Sequence, residues 1–173
     1  MNTNRYMAWV MGVALLAGSV TMGAAHAQEP SLSVTGNNSS FPWYGSLKKT
    51  EVNVRSGPGN QYPILWVYQR AGYPVEVLAK YDNYYKLRDV EGEEGWVYIG
   101  MISRRLTGLV GGKTPSNLAR YAEAGSQIVA KLAPGVVVEM GDCKDVGSVG
   151  EVCHVEAPGA KGWILKNHLD MVQ

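Results

Sequence analysis

Two cysteines, three histidines and a scatter of carboxylates are the groups through which this 173-residue chain could act on a substrate. Nucleophilic catalysis needs a nucleophile beside a base that a third group orients. Cys143 and Cys153 bracket a stretch holding Asp145, Gly147, Ser148 and Gly150, the composition of a hairpin connection, so the two thiols are placed to consume each other as a disulfide. His154 directly follows Cys153 and on a strand points to the opposite face. A zinc site built from Cys143, Cys153, His154 and His168 is the alternative, and it lacks the close CxxC or HExxH spacing that marks such sites. Glu91, Glu93 and Glu94 fall in a predicted turn, where solvation explains them, whereas glycoside hydrolysis needs two carboxylates fixed across a cleft. The glycines around Gly57 lack the Gly-Lys-Ser/Thr ending of a phosphate-cradling loop, and no helical pattern follows them. The expectation is a protein with no catalytic residue, no cofactor and no metal.

The elements that would carry any binding surface are short and alternate with a period of two. Val52 and Val54 flank Asn53, Val75 and Val77 flank Glu76, and Tyr85 and Leu87 flank Lys86. Breakers at Ser56–Asn60, Ala71-Gly72, Asp82-Asn83 and Glu91–Gly95 separate them, as expected of antiparallel strands joined by turns. Four anchors then recur in order. Asn53-Val54 is echoed by Asn117-Leu118, Ile64-Leu65 before Gly72 by Ile128-Val129 before Gly135, Val75-Glu76-Val77 by Val138-Glu139-Met140, and Gly95-Trp96-Val97 by Gly162-Trp163-Ile164. The first unit spans 48–103 and the second 107–173. A helical pattern competes within Leu118–Leu132, but Gly125-Ser126 interrupts it and Ile128-Val129 favours a strand. Five short, half-apolar strands bury a face only by curling into a barrel. Units this small have marginal cores. The first compensates with Trp66, Tyr68, Tyr85 and Trp96, and the second with its disulfide and Trp163.

Residues 1–27 read as an export leader. Arg5 lies in a weakly positive start, Met7–Ala25 is apolar or small, and Ala25-His26-Ala27 offers a cleavage site before Gln28. No cysteine follows that would take a lipid, so the exported part is expected to be free in the periplasm, without stable membrane insertion and in a compartment that permits disulfides. Residues 28–47 are expected to be a lead-in, flexible in its Ser/Asn/Gly-rich first part, whose cluster Phe41-Pro42-Trp43-Tyr44 packs onto the first unit or onto a partner. The chain carries 16 basic and 15 acidic side chains, and Arg5 belongs to the leader, so the exported part is balanced and exerts no long-range pull on nucleic acid or anionic lipid. The pairs Lys48-Lys49 and Arg104-Arg105 read as solvated edges.

Val52-Asn53-Val54-Arg55-Ser56-Gly57-Pro58-Gly59, with Val75-Glu76-Val77, Tyr84-Tyr85-Lys86-Leu87 and Gly95-Trp96-Val97 downstream, resembles the bacterial SH3 (SH3b) family. The second unit lacks the Ser-Gly-Pro turn and carries one more residue between Leu118 and Arg120. With Cys143, Cys153 and Gly162-Trp163-Ile164 it is similar to cysteine-paired SH3-like domains of exported alphaproteobacterial proteins. The resemblance implies an all-β fold of two small SH3-like barrels in tandem behind a cleaved signal peptide. It also implies a binding or adaptor role toward cell-wall peptide or glycan or an envelope protein, the other reading being an accessory subunit of an envelope complex. Physically, Gly57, Pro58 and Gly59 suit a tight loop of unusual backbone angles, and Arg55 can tie that loop's carbonyls together or meet a ligand. Trp96 and Trp163 are expected in structural, core or half-core positions. Tyr84, Tyr81 and Tyr73 exceed what so small a core can hide, and with Arg55 and Trp43 they are the candidate ligand contacts.

Overall fold

The computed structural model describes residues 41–170; the expected leader and most of the lead-in lie outside them. The strands of the first barrel are β1 (Trp43–Leu47), β2 (Val52–Arg55), β3 (Ile64–Tyr68), β4 (Pro74–Tyr81), β5 (Tyr84–Arg88), β6 (Glu94–Tyr98) and β7 (Ile102–Ser103). Those of the second are β8 (Thr107–Val110), β9 (Ser116–Ala119), β10 (Ile128–Leu132), β11 (Val137–Asp145), β12 (Glu151–Ala157), β13 (Ala160–Leu165) and β14 (Leu169–Asp170). The sheets run β3-β2-β6-β5-β4-β1-β7 and β10-β9-β13-β12-β11-β8-β14, the same order twice. The expected all-β fold of two SH3-like barrels is what the chain forms.

Two expectations change. The lead-in ends in a strand of the barrel: Trp43–Leu47 is β1, its Trp43 opposite Val77 on β4 and its Leu47 opposite Ile102 on β7. Its alternation was masked by Gly45, which has no side chain because an added Cβ would strike the Trp43 ring and the Ser103 carbonyl. The first barrel therefore starts near Trp43 and not at Lys48. Gly95, expected in the Glu91–Gly95 turn, lies inside β6 as its counterpart Gly162 does inside β13, and a Cβ at either would collide with Val54 or with the Ala119 carbonyl of the neighbouring strand.

Register makes the two barrels comparable residue by residue. Leu87 pairs with Gly95 and Val155 with Gly162, so Leu87 corresponds to Val155 and Trp96 to Trp163. The Leu47 and Val110 N–H groups donate to the carbonyls of Tyr73 and Val136, which fixes those two as counterparts. Each core follows from the period of two: Val52 and Val54 are buried around exposed Asn53, and Ser116 and Leu118 around exposed Asn117. The first core is closed by rings, with Phe41, Trp66, Tyr68, Tyr73 and Tyr85 packed on it, while Ala130, Val136, Met140, Ala157 and Ala160 do this in the second. The Cys143–Cys153 disulfide forms across the β11–β12 hairpin. Those cysteines occupy the register positions of Lys80 and Tyr85, so the second barrel has a covalent staple where the first packs Tyr85 against Phe41 and Trp43.

Candidate functional site

Arg55 ends β2, and its guanidinium turns into the loop that follows. Nη1 donates to the carbonyl of Tyr62 at 2.8 Å and to that of Asn60 at 3.3 Å, the bracing anticipated for this side chain. Gly57 and Gly59 serve the loop by a different route from the one expected. Neither has positive φ; both are buried, and a Cβ at Gly57 would sit 2.5 Å from the Tyr62 ring while one at Gly59 would strike the Gln61 side chain. Close packing against the Tyr62 ring restricts Gly57, whereas the exposed Gln61 side chain could swing away from a Cβ at Gly59; Pro58 between them is half-buried.

This loop makes one wall of a cleft of about 490 Å³. Glu51, Asn53 and Arg55 come from β2 and its approach, Asn60 from the loop, Asp82 and Asn83 from the β4–β5 turn, and Tyr84, Tyr98 and Met101 from the floor and far side. Tyr84 is not the freely exposed ring expected of it. It does lie on the outer side of β5, opposite Tyr98, but it is only 9% exposed because the Tyr98 ring covers it edge-on at 6.1 Å. Its hydroxyl donates to Asn60 Oδ1 at 2.8 Å. That bond leaves the phenol oxygen able to accept and the Asn60 amide able to donate, so the cleft offers paired donors and acceptors with a ring beside them. Tyr81, the last residue of β4, is half exposed and pairs with Tyr84 across the turn.

The other expected contacts are elsewhere. Trp43 is 9% exposed, inside the core cluster, with the Arg104 guanidinium 4.3 Å from its ring centroid, so its face is already taken. Tyr73 is half-buried and stacked on Tyr68 at 5.3 Å, in a different groove. Trp96 and Trp163 are half-buried but outside both core clusters, because strand alternation gives the inward positions to their neighbours Val97 and Ile164. Trp163 packs with His154 at 5.4 Å and lies under Lys144 Nζ. Glu94 belongs to β6 and not to a turn. It pairs with Lys86 at 2.6 Å and Arg88 at 2.7 Å, and these partners hold its carboxyl below the usual range. Arg105 pairs with Glu139 at 2.7 Å, and both side chains stay exposed, as at a solvated edge.

Asp89 was missed. It is 6% exposed, with Oδ1 accepting from the Glu91 and Glu93 N–H groups and Oδ2 from the Tyr68 hydroxyl. The available signal was a lone Asp two residues beyond Leu87 and just before the Glu-Gly-Glu turn, a position suited to an Asx turn.

At the corresponding place in the second barrel the chemistry differs. Arg55 and Ala119 both lie opposite the sheet's outward tryptophan, Trp96 and Trp163, so Ala119 stands where Arg55 does. Val152 and Leu165 replace Tyr84 and Tyr98. The surface there is apolar, with Tyr121 58% and Ile128 45% exposed.

A small β-barrel is a scaffold whose function is set by the site it carries and not by its fold. Residues 48–104 match the bacterial SH3 domain family, a span covering the first barrel apart from β1. Among solved structures the chain is similar to NlpC2 of Trichomonas vaginalis (16% identity, TM-score 0.33, covering 74% of this chain and 47% of that one). It is also similar to NlpC1 of the same organism (15% identity, TM-score 0.30, 82% and 50%). The chain spans about half the length of each. No curated protein sequence matches it. Among the described residues no cluster of three or more His, Cys, Asp or Glu side chains could hold a metal, and no helix is long and apolar enough to cross a membrane.

Proposed function

We propose that this chain is a non-catalytic, periplasmic binding protein of the cell envelope, a tandem of SH3-like barrels whose first member holds a cell-wall peptide or glycan in the cleft between Arg55 and Tyr98. The observation that carries this reading is the Arg55–Asn60–Tyr84 arrangement: a braced loop and a largely buried phenol that present donors and acceptors at a fixed spacing, within the stretch that matches the bacterial SH3 family. Three asparagines and two tyrosines suit amide and hydroxyl partners, and with Glu51 and Asp82 beside Arg55 the cleft favours no strongly anionic ligand. A disulfide agrees with an oxidising compartment. The test is sedimentation with purified peptidoglycan. The protein should co-sediment, Tyr84→Ala and Asn60→Ala should weaken binding about five- to fiftyfold, as for a hot-spot pair, and full retention by both variants would sink the cleft as the site.

A second reading, an accessory subunit of an envelope complex, is favoured by the apolar surface of Tyr121, Ile128 and Val129 on the second barrel, which suits a protein neighbour better than a glycan. Cross-linking through Tyr121 to a protein in envelope extract, with no co-sedimentation on cell wall, would favour it over the first.

A further inference from the structure

The second barrel shows what the fold requires, and the first contains more. A groove of about 530 Å³ in the first barrel is lined by Trp66, Tyr68, Tyr73, Asp89 and Glu91. Register and matching backbone hydrogen bonds put Ala130, Leu132, Val136 and Ala157 at the positions of Trp66, Tyr68, Tyr73 and Asp89. The same seven-stranded order therefore closes with aliphatic side chains alone at these places, so three rings and a buried carboxylate are not a demand of the topology.

Their arrangement suits a cation. Tyr68 and Tyr73 are stacked at 5.3 Å with 29° between their planes, and Trp66 meets Tyr68 edge-on at 6.1 Å. Ring faces attract ammonium groups, and the attraction grows where water is partly excluded. Asp89 lies behind the rings, bonded to the Tyr68 hydroxyl at 2.8 Å, and Glu91 stands exposed at the mouth with no ion pair among the described residues. The one basic side chain of the groove, Arg70, donates to the Gly135 carbonyl at 2.5 Å, which orients its guanidinium but leaves its charge in place against the two carboxylates Asp89 and Glu91. Burial first, then the Asp89 and Glu91 carboxylates, push the Tyr73 hydroxyl up to about 12 against the opposing charge of Arg70. The groove also runs beside β3, an edge strand whose outer backbone groups have no partner strand among the described residues, so an extended peptide can lie along it.

We propose that this groove is a second binding site of the first barrel, taking a lysine-type primary ammonium side chain carried by an extended peptide. The site shares no residue with the cleft between Arg55 and Tyr98 and does not depend on what that cleft binds.

The test is a titration of the full ¹⁵N-labelled chain with acetyl-Ala-Lys-Ala-amide and, separately, with the same peptide acetylated on the lysine nitrogen, followed by NMR. The free-amine peptide should shift the Trp66 indole N–H and the backbone of Gln69, Arg70 and Glu91. The acetylated one should bind about fivefold more weakly or worse, the size of an exposed cation–π contact with its charge removed. Glu91→Gln, a surface change, should weaken the free-amine peptide about two- to fivefold, in line with loss of one partly screened charge. Tyr73→Val, which installs the second barrel's residue, should abolish the shifts. Equal binding of the two peptides, shifts confined to Asn60, Tyr84 and Tyr98, no saturable shift at all, or unchanged affinity in Glu91→Gln would each overturn the assignment. Because Glu91→Gln leaves the core untouched, it decides the matter even if Tyr73→Val fails to fold.

Discussion

Replacing Asp89 with alanine removes one small side chain and leaves three hydrogen-bond donors without an acceptor. Two of them, the Glu91 and Glu93 N–H groups at 2.9 and 3.0 Å, belong to the turn between β5 and β6 and border solvent, so water can take the place of Oδ1 at modest cost. The third, the Tyr68 hydroxyl at 2.8 Å, is half-buried between Trp66 and Tyr73, where water is less able to follow. Bonds to a charged acceptor are worth about 1.5 to 3 kcal/mol each, and the two solvated ones contribute a fraction of that, so Asp89→Ala should destabilise the first barrel by roughly 2 to 4 kcal/mol. For a domain of this size that lowers Tm by on the order of 15 to 30 °C. Urea unfolding followed by tryptophan fluorescence reports mainly on this barrel, since Trp43, Trp66 and Trp96 are in it and Trp163 is the second barrel's tryptophan. Tyr68→Phe should cost about 1 kcal/mol by itself and little more in the Asp89→Ala background, which identifies their hydrogen bond as the shared element. An unchanged urea midpoint for Asp89→Ala, or strictly additive losses for the pair, would refute the reasoning.

Reducing the disulfide should destabilise the second barrel selectively by roughly 3 kcal/mol on the loop-entropy estimate, seen as faster amide exchange in β11 and β12 with β4 and β5 unchanged; free alkylation of both cysteines in the unreduced protein would exclude the bond. Gly162→Ala should cost more than Gly95→Ala, because its Cβ meets the rigid Ala119 carbonyl whereas the latter first meets a Val54 methyl; both should exceed about 1 kcal/mol in urea unfolding, as overpacked sites do. In alkaline titration Tyr73 ionises near 12 instead of 10.0, with Tyr68 shifted upward too, by burial and then Asp89. A raised folded-state value means that the unfolded chain releases those protons first, so stability is intact below pH 10 and falls as pH rises toward 12. Spectrophotometric titration at the tyrosinate band with parallel circular dichroism checks this, and ionisation of both phenols near 10 in folded protein would contradict it.

What the chain reveals before folding is set by how local the signal is. Val52-Asn53-Val54-Arg55 and Gly95-Trp96-Val97 disclose strands because alternation is a property of neighbours, and Cys143 and Cys153 disclose a hairpin because the turn lies between them. Tyr84 shows where that ends. Alternation correctly sent it outward, yet its burial is decided by Tyr98 and Asn60, which arrive from another strand and another loop. β1 was missed for a related reason: Gly45 interrupts the pattern, and its purpose, letting the Ser103 carbonyl approach, is a long-range contact. Arg55 and its absence in the second barrel bring both cases together. In the linear chain Arg120 looks like the counterpart of Arg55 after one inserted residue. Pairing decides otherwise, since Trp96 faces Arg55 and Trp163 faces Ala119, while the Arg120 N–H closes the β9–β10 loop on the Gln127 carbonyl. The arginine has slipped past the end of the strand, so its side chain cannot brace a loop as Arg55 does from within β2. The residues that replace the polar floor, Val152 for Tyr84 and Leu165 for Tyr98, agree with that loss. A ligand held by hydrogen bonds in the first cleft would therefore find no equivalent donors and acceptors on the second barrel, although the two are alike in strand order.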